Sequence, residues 1–449
     1  MLSKEYIKDI VILGLGYVGL PLALEFAKNN ISTYGYDSDL VRIKQLSEGI
    51  DKNEEIDKME ILSSKLKITS NPECITDSNI IIVTVPTPIT DDYQPDLSLL
   101  MNASKLIGEK IALRKNKDHK PIIIFESTTY PGCTEDYCAP LIEKESGLIS
   151  GKDFYLGYSP ERTNFGDKEH SISNIIKVVS GQNDEILEII SNLYSHVAKE
   201  GVHKAKSIRI AESSKVIENI QRDLNIALFN ELCMIFDRMN IPSYEVFKAA
   251  STKWNFNNYS PGLVGGHCVP VDPYYLTYKA QEFGFTPKTI LSGRAVNESV
   301  PKFLFEKIIK TLSNVEKHKS NNILVLGQTF KPDVADLRNS KSIELCKLLI
   351  SSNYNIFIND IKNNYPFLND AKYIDNIEDN KINFLAIVLA VPHKNYISKF
   401  SNLTRKIEKN GYVFDITGVL DNSKFQNQEI NYWSMWKIIS IRGGFWKIF

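Results

Sequence analysis

A short apolar run that empties into closely spaced glycines limits the folds open to this chain. Asp9–Leu13 (DIVIL) reads as a strand and leads directly into Gly14-Leu15-Gly16-Tyr17-Val18-Gly19. Leu20–Asn29 follows with apolar residues at helical spacing. A strand that turns through glycine into a helix opens a βαβ unit, because the turn needs backbone shapes that side chains resist. Further strand candidates stand at Ile31–Tyr36, Asn79–Val85 and Pro121–Phe125. The last two are continuous apolar runs, and helical patterns set the strands apart, so the expected sheet is parallel and covered on both sides.

The same pattern restarts at Asn322–Leu326 (NILVL), with strand candidates at Asn355–Ile358, Phe384–Val391 and Tyr412–Asp415. Between the two regions, from about Ile208 to Asn240, Ile210, Ile217, Ile220, Leu224, Leu228, Leu232, Ile235 and Met239 recur at helical spacing. No glycine or proline interrupts them. The expected architecture is α/β: two Rossmann-like doubly wound domains joined by a long central helix. For 449 residues, at ~100–200 residues per domain, the expected divisions are 1–205, 206–315 and 316–449. The polar stretch Val315–Asn321 forms the last linker. The long helix suits either an interdomain spacer or a two-fold interface, and a homodimer is expected.

Charge excludes some partners. Lysine plus arginine (53) balances aspartate plus glutamate (54), which argues against a nucleic acid or an anionic membrane. No run of about 20 apolar residues appears, so no membrane span is expected. The N-terminus lacks the pattern of a secretory signal, and a cytoplasmic location with reduced cysteines is expected. Cys74, Cys133, Cys138, Cys233, Cys268 and Cys346 show no metal-ligand spacing, so no metal is expected.

The glycine loop has the context that a dinucleotide needs. One glycine permits the turn, one lets backbone amides approach a pyrophosphate, and one lets the helix pack on the strand. Asp37 ends the second strand, where an acid binds both ribose hydroxyls and repels a 2′-phosphate. NAD is therefore expected rather than NADP.

A second signal is Gly265-Gly266-His267-Cys268-Val269-Pro270-Val271-Asp272-Pro273. A thiol in a glycine turn suits attack on an aldehyde, giving a thiohemiacetal and, after oxidation, a thioester. A free cysteine is equally at home as a small buried hydrophobe. His267 is expected to be structural, since neighbours in sequence rarely face each other. On the long helix, Lys215 and Asn219 share a face at four-residue spacing. They could stabilise an oxyanion, or be a solvated surface pair.

Taken in order, these segments resemble the UDP-glucose/GDP-mannose dehydrogenase family over essentially the whole chain. Val85-Pro86-Thr87-Pro88, Glu126-Ser127-Thr128-Thr129-Tyr130-Pro131-Gly132 and Ser159-Pro160-Glu161-Arg162 carry the likeness after the first glycine loop. Glu212–Asn219, Pro261–Cys268, Val271–Leu276, Gly327–Lys331 and Asp336–Ser340 complete it. The resemblance implies that Cys268 is the nucleophile and that Lys215 and Asn219 stabilise charge on the sugar oxygen. It implies that Asp272 orients water or assists proton movement, that Glu161 is the acid/base for thioester hydrolysis, and that Thr128 lies near the reacting carbon. It implies NAD contacts at Gly14, Gly16, Tyr17, Val18, Gly19, Asp37, Arg42, Pro86, Thr87, Ser127, Thr128 and Arg338. UDP-sugar contacts are implied at Glu161, Arg162, Lys215, Asn219, Tyr259, Gly262, Gly265, Phe330 and Lys331.

Within the family the motifs look most like the branch acting on UDP-N-acetylhexosamines, which makes uronates for surface polysaccharides. Two positions depart from that branch: Phe165 replaces a proline, and Ser260 replaces an arginine. Two other readings remain at this level. A two-electron 3-hydroxyacyl or 6-phosphogluconate dehydrogenase would leave Cys268 and the second α/β region without a role. A non-catalytic nucleotide-sugar-binding protein would not need Cys268, Lys215, Asn219, Asp272 and Glu161 together.

Overall fold

The structure is a computed structural model that describes residues 6–115, 119–163, 169–315, 319–362, 366–378, 381–421, 423, 425 and 429–436. Phe165, the aromatic tail Phe445–Phe449 and part of the expected linker at Val315–Asn321 lie outside the described residues. The chain forms two compact units. One comprises Met1–Asn219 with Val271–Thr286, the other Ile220–Pro270 with Pro287–Phe449.

The first unit is built on β1 (Asp9–Leu13), β2 (Ser32–Tyr36), β3 (Lys67–Thr69), β4 (Ile80–Val83), β5 (Ile122–Phe125), β6 (Tyr155–Tyr158), β7 (Lys177–Gly181) and β8 (Val202–Lys204). They pair in the order β3-β2-β1-β4-β5-β6-β7-β8. All neighbours are parallel except β6 and β7. The first six strands thus have the 3-2-1-4-5-6 order of a doubly wound nucleotide-binding sheet. Every residue of β4 and β5 is buried, as an apolar run covered by helices on both faces requires.

Helix α1 (Gly19–Lys28) leaves β1 through the glycine turn, whose Gly14 N–H donates to Tyr36 O at 2.8 Å. Gly19 is where helix meets strand. A Cβ there would lie 1.8 Å from Gly14 O and 2.4 Å from Thr84 Oγ1. The unit also takes the first turns of α2 (Ile208–Arg238) and all of α3 (Asp272–Glu282).

The second unit contains the rest of α2, α4 (Lys288–Leu312) and α5 (Lys341–Ile350). Its strands are β9 (Asn322–Leu326), β10 (Asn355–Asn359), β11 (Lys372–Tyr373), β12 (Phe384–Leu389), β13 (Ile407–Asp415) and β14 (Asn431–Ser434). They are all parallel, in the order β11-β10-β9-β12-β13-β14. This repeats the 3-2-1-4-5-6 arrangement. Alternation along β9 builds two cores. Ile323 and Val325 pack with Phe229, Cys233 and Leu304, while Leu324 and Leu326 pack with Tyr396 and Phe400.

The apolar stripe expected on the long helix is not its core face. Ile220 is buried, but Ile210, Ile217, Leu228, Ile235 and Met239 are 44–58% exposed. Ala211, Val216, Ile226, Phe229 and Cys233 take the core positions instead. The helix is apolar on two faces, and a 3.6-residue period fits either one. Among the described residues no helix is long and apolar enough to cross a membrane.

Gly19→Ala should therefore destabilise the protein by roughly 1–3 kcal/mol, the usual range for overpacking. Gly16→Ala, whose Cβ would meet nothing within 4 Å, should change stability by less than about 0.5 kcal/mol. Urea unfolding without added nucleotide checks the pair, and equal midpoints would contradict this view of the turn.

Candidate active site

In the first unit the glycine loop is closed by Asp37. Its Oδ2 accepts the Leu15 N–H at 2.8 Å and its Oδ1 the Asp39 N–H at 2.9 Å. Arg42 lies beneath the loop, 2% exposed, with Nε on Leu15 O at 2.9 Å and Nη2 on Asp51 at 2.8 Å. Arg42 thus supports the loop from below. The N-terminus of α1 has no side-chain cap and no acidic residue in its first turn, so its amides and dipole are left for an anion. With the open space above Gly16, the loop fits a dinucleotide pyrophosphate.

Gly14, Gly16, Tyr17 and Val18 are half-buried in that loop, and Gly19 is buried. Farther along the carboxyl ends of the strands, Pro86 is exposed and Thr87 half-buried. Ser127 is held by its hydroxyl on Val85 O at 2.7 Å, next to the half-buried Thr128.

Lys215, Asn219 and Asp272 come together in the same unit, all at most 7% exposed. Asn219 Nδ2 donates to Asp272 Oδ2 at 2.5 Å, and Lys215 Nζ lies 3.8 Å from the same oxygen. Helical spacing aligns the first two, and Asp272 enters at the first residue of α3. A cation, an amide donor and a carboxylate in one buried group can meet an alkoxide and direct a proton.

Glu161 follows β6. Its Oε1 accepts the Arg162 N–H at 2.7 Å and also the Thr163 N–H. Burial acts to raise the Glu161 carboxyl, but Lys177, Thr163 and Lys215 outweigh it and hold it below the usual range. Arg162 reaches Glu218 at 2.9 Å and Ile176 O at 2.8 Å.

The sequence reading missed the support under Glu161. Lys177 is wholly buried in β7, 2.7 Å from Glu126 Oε2 and 4.0 Å from Glu161 Oε2. Tyr194 Oη donates to the other oxygen of Glu126. The available signal was a lysine opening an otherwise apolar strand, since a buried cation needs a partner. Glu212 was also missed as a working group. Its carboxyl accepts the Thr134 N–H at 2.9 Å and the Gly132 N–H at 2.5 Å.

In the second unit, Cys268 lies half-buried in the loop that follows the helix Ser243–Ala250. Asn230 fastens the start of that loop, with Oδ1 on Gly262 N–H at 2.7 Å and Nδ2 on Gly262 O at 3.1 Å. Asn339 Nδ2 holds Gly266 O at 3.0 Å. Gly265 has no room for a Cβ, which would lie 2.7 Å from Asn339 O. The half-buried Tyr259 packs near Phe229 in the same loop, and Ser260 is buried beside it.

His267 faces its neighbour in this turn: its Nδ1 stands 3.1 Å from Cys268 Sγ. Arg338, expected at the cofactor, forms a forked pair with Asp336, its Nε and Nη2 at 3.0 and 2.6 Å from Oδ2.

A shallow cleft opens where strand order reverses between β9 and β12. Phe330 and Lys331 line it from the loop after β9, and Ala390, Val391 and Pro392 from the loop after β12. Ligands of open α/β sheets sit at such a switch point. Asp360 ties down the β9 loop, its Oδ2 accepting Gln328 N–H at 2.6 Å and Thr329 N–H at 3.1 Å. The buried His393 lies against Asp360 at 3.3 Å.

Two doubly wound sheets, one with an uncapped glycine-loop helix and one with a switch-point cleft, define a dinucleotide-dependent α/β protein. The chain belongs to the UDP-glucose/GDP-mannose dehydrogenase family. It matches that family's NAD binding domain over residues 8–198, its central domain over 209–299 and its UDP binding domain over 324–422. It is 44% identical over 422 residues to Protein CapL of Staphylococcus aureus, covering 93% of this chain and 97% of that one. It is also 44% identical to the UDP-N-acetyl-D-glucosamine 6-dehydrogenase of Pseudomonas aeruginosa, over 92% of this chain and 98% of that one. Among solved structures it resembles the UDP-D-ManNAc dehydrogenase of Pyrococcus horikoshii, with TM-score 0.81 and 29% identity, covering 95% and 99% of the two chains. The protein is an NAD-dependent oxidoreductase with a UDP-sugar binding domain.

Burial pushes the Glu212 carboxyl up to about 7 despite its backbone donors. An acid raised on folding stabilises most fully below its unfolded value and loses that contribution as pH climbs through about 7. From pH 5 to pH 8 the wild type should lose stability relative to Glu212→Gln, by on the order of 3 kcal/mol. Thermal melts across that range check it, and parallel curves would refute it.

Proposed function

We propose that this chain oxidises the C6 alcohol of a UDP-N-acetylhexosamine to the carboxylate, in two oxidations with a covalent intermediate on Cys268. The observation that carries the proposal is the buried group of Lys215, Asn219 and Asp272 about one oxygen atom. A single two-electron oxidation has no need of a thiol, whereas Cys268 provides for capture of the aldehyde. The names of the 42–44% identical UDP-N-acetyl-D-glucosamine 6-dehydrogenases support the substrate class.

NAD, when bound at Gly14–Gly19 and Asp37, supplies the hydride acceptor for each oxidation. Lys215 and Asn219 stabilise charge on O6, and Asp272 moves a proton there. Cys268 adds to the aldehyde to give a thiohemiacetal, which becomes a thioester on the second oxidation. Water directed by Glu161 then cleaves it, and the thiolate leaves. Thr128 lines the reacting carbon. Phe330 and Lys331 hold the UDP, Lys331 as the cation for its pyrophosphate, and Arg162, Tyr259, Gly262 and Gly265 shape the sugar site. Pro86, Thr87 and Ser127 complete the NAD site.

Residues 1–205 serve the cofactor, 206–315 the link and 316–449 the nucleotide. The enzyme acts in the cytoplasm without nucleic acid and supplies a uronate for surface polysaccharide.

The deciding measurement is NADH formed per sugar consumed, with limiting UDP-N-acetylglucosamine, UDP-N-acetylgalactosamine, UDP-glucose or GDP-mannose. Two NADH with a UDP-N-acetylhexosamine is expected. Two with UDP-glucose alone would keep the chemistry and move the substrate, and one or none with every sugar would overturn the reading. Cys268→Ser should bind NAD and UDP-sugar normally yet stop steady turnover.

The exposed stripe of α2 is proposed as the face of a homodimer, since Leu228 and Ile235 each remain about half exposed in one chain. Light scattering should give a dimer for the wild type and a monomer for Leu228→Asp/Ile235→Asp. A monomeric wild type would end that proposal.

A further inference from the structure

An aldehyde is attacked by a thiolate, and an ordinary cysteine with pKa about 8.5 is only a few per cent ionised at pH 7. Some group must take the proton from Cys268. Within the second unit one is already in place. Cys268 Sγ and His267 Nδ1 are 3.1 Å apart, and the far side of the imidazole, Nε2, faces Asp336 Oδ2 at 4.0 Å. Asp336 is in turn gripped by Arg338, with Nε at 3.1 and 3.0 Å from its two oxygens and Nη2 at 2.6 Å from Oδ2.

The chain is shaped to permit this. Gly266 has φ +91°, a left-handed conformation that favours glycine. A Cβ there would strike the Phe330 ring at 2.7 Å. Next in sequence, the His267 ring stands edge to face with Phe330 at 5.9 Å. Neighbouring side chains diverge in a strand or a helix, but in this turn two of them converge.

We propose that His267 is the catalytic base that ionises Cys268, and that Asp336 is the positioning residue that orients the ring and stabilises its charged form. The order thiol, imidazole, carboxylate is that of a nucleophile activated by a base and an orienting acid. The proposal rests on the reading of Cys268 as nucleophile.

The step balances without an added oxidant. Nδ1 takes the proton from Sγ, the sulfur pair forms the S–C6 bond, and the C6=O π pair moves onto O6. When the thioester is later hydrolysed, water gives a proton to Glu161 as its oxygen bonds to C6, the C–S bond breaks, sulfur departs as a thiolate beside the imidazolium, and the new carboxylic acid releases its remaining proton to solvent. In this unit Asp336 faces the imidazole and is itself paired with Arg338. Burial acts to raise the Asp336 carboxyl, but Arg338 and then His267 outweigh it, which keeps it anionic.

The remaining cysteines make the test clean. Cys133, Cys138, Cys233 and Cys346 are buried. Burial pushes the Cys74 thiol up to about 11, and those of Cys233 and Cys346 up to about 12. Iodoacetamide between pH 5.5 and 8 therefore reports Cys268, with the labelled residue confirmed by peptide mass. In the wild type the rate should level off below the ordinary thiol range.

His267→Gln should move the midpoint upward by at least about one pH unit, slowing alkylation about tenfold at pH 6.5. Asp336→Asn should move it less, in the same direction. Turnover of His267→Gln should climb toward the wild-type value as pH is raised, a rescue that a merely structural role would not give. Should His267→Gln fold poorly, His267→Asn keeps a hydrogen-bonding amide near the sulfur and carries the same expectation.

An unchanged alkylation profile in the folded variant, with wild-type turnover, would overturn the assignment of His267. Full turnover by Cys268→Ser would instead overturn the covalent reading beneath it, so the two failures are distinguishable.

Discussion

Backbone amides that leave a strand and turn into the next segment have lost their sheet partners and must find other acceptors. In both units the acceptor is a carboxylate just beyond the neighbouring strand. Asp37 receives Leu15 N–H at the turn after β1, and Asp360 receives Gln328 N–H and Thr329 N–H at the turn after β9. These bonds fix where each loop stands over the carboxyl ends of its strands, and a ligand site is only as well defined as that loop. The two carboxylates differ in what they leave over. Asp37 belongs to a partly open turn and keeps lone pairs for a ligand, whereas Asp360 is wholly buried against His393.

The same economy of partners governs the charged interior. Lys177 could not sit unpaired inside a sheet, and Glu126 beside it gives the pair a shared environment sealed by Tyr194. Glu161 borrows this charge at its edge, and its carboxyl is held ionised by a cation that never reaches solvent. In the second unit a polar chain runs Asp223, Asn297, Asn230 to Gly262. Arg294 anchors its far end on Asp223 at 2.5 Å. The thiol loop is thus bolted to α2 and α4 by groups that have no other outlet for their hydrogen bonds.

Much of the fold was legible because its strongest elements are buried on both faces. β1, β4, β5, β9, β10, β12 and the end of β13 stand out as runs of isoleucine, valine, leucine and phenylalanine. β3, β6, β7, β8, β11 and β14 did not, being two to five residues long and carrying lysine, glycine or tyrosine. Such segments become strands because a neighbour offers an edge, and that fact is not local to them. The long helix was legible in extent but not in orientation, since Leu228 and Phe229 are equally apolar and only one of them is buried.

The sequence by itself determined the glycine turns, the placing of Lys215 beside Asn219 and the presence of a thiol among glycines, because each is set by spacing within a few residues. Tertiary structure alone decided that Asp272 should meet that pair, 53 residues beyond Asn219. It alone set Lys177 under Glu161, and turned His267 toward Cys268 with Asp336 behind it. These are contacts between segments distant in the chain, or between neighbours in an irregular turn. Helical and strand periodicity say which residues share a face of one element, and they carry no information about which element that face will meet.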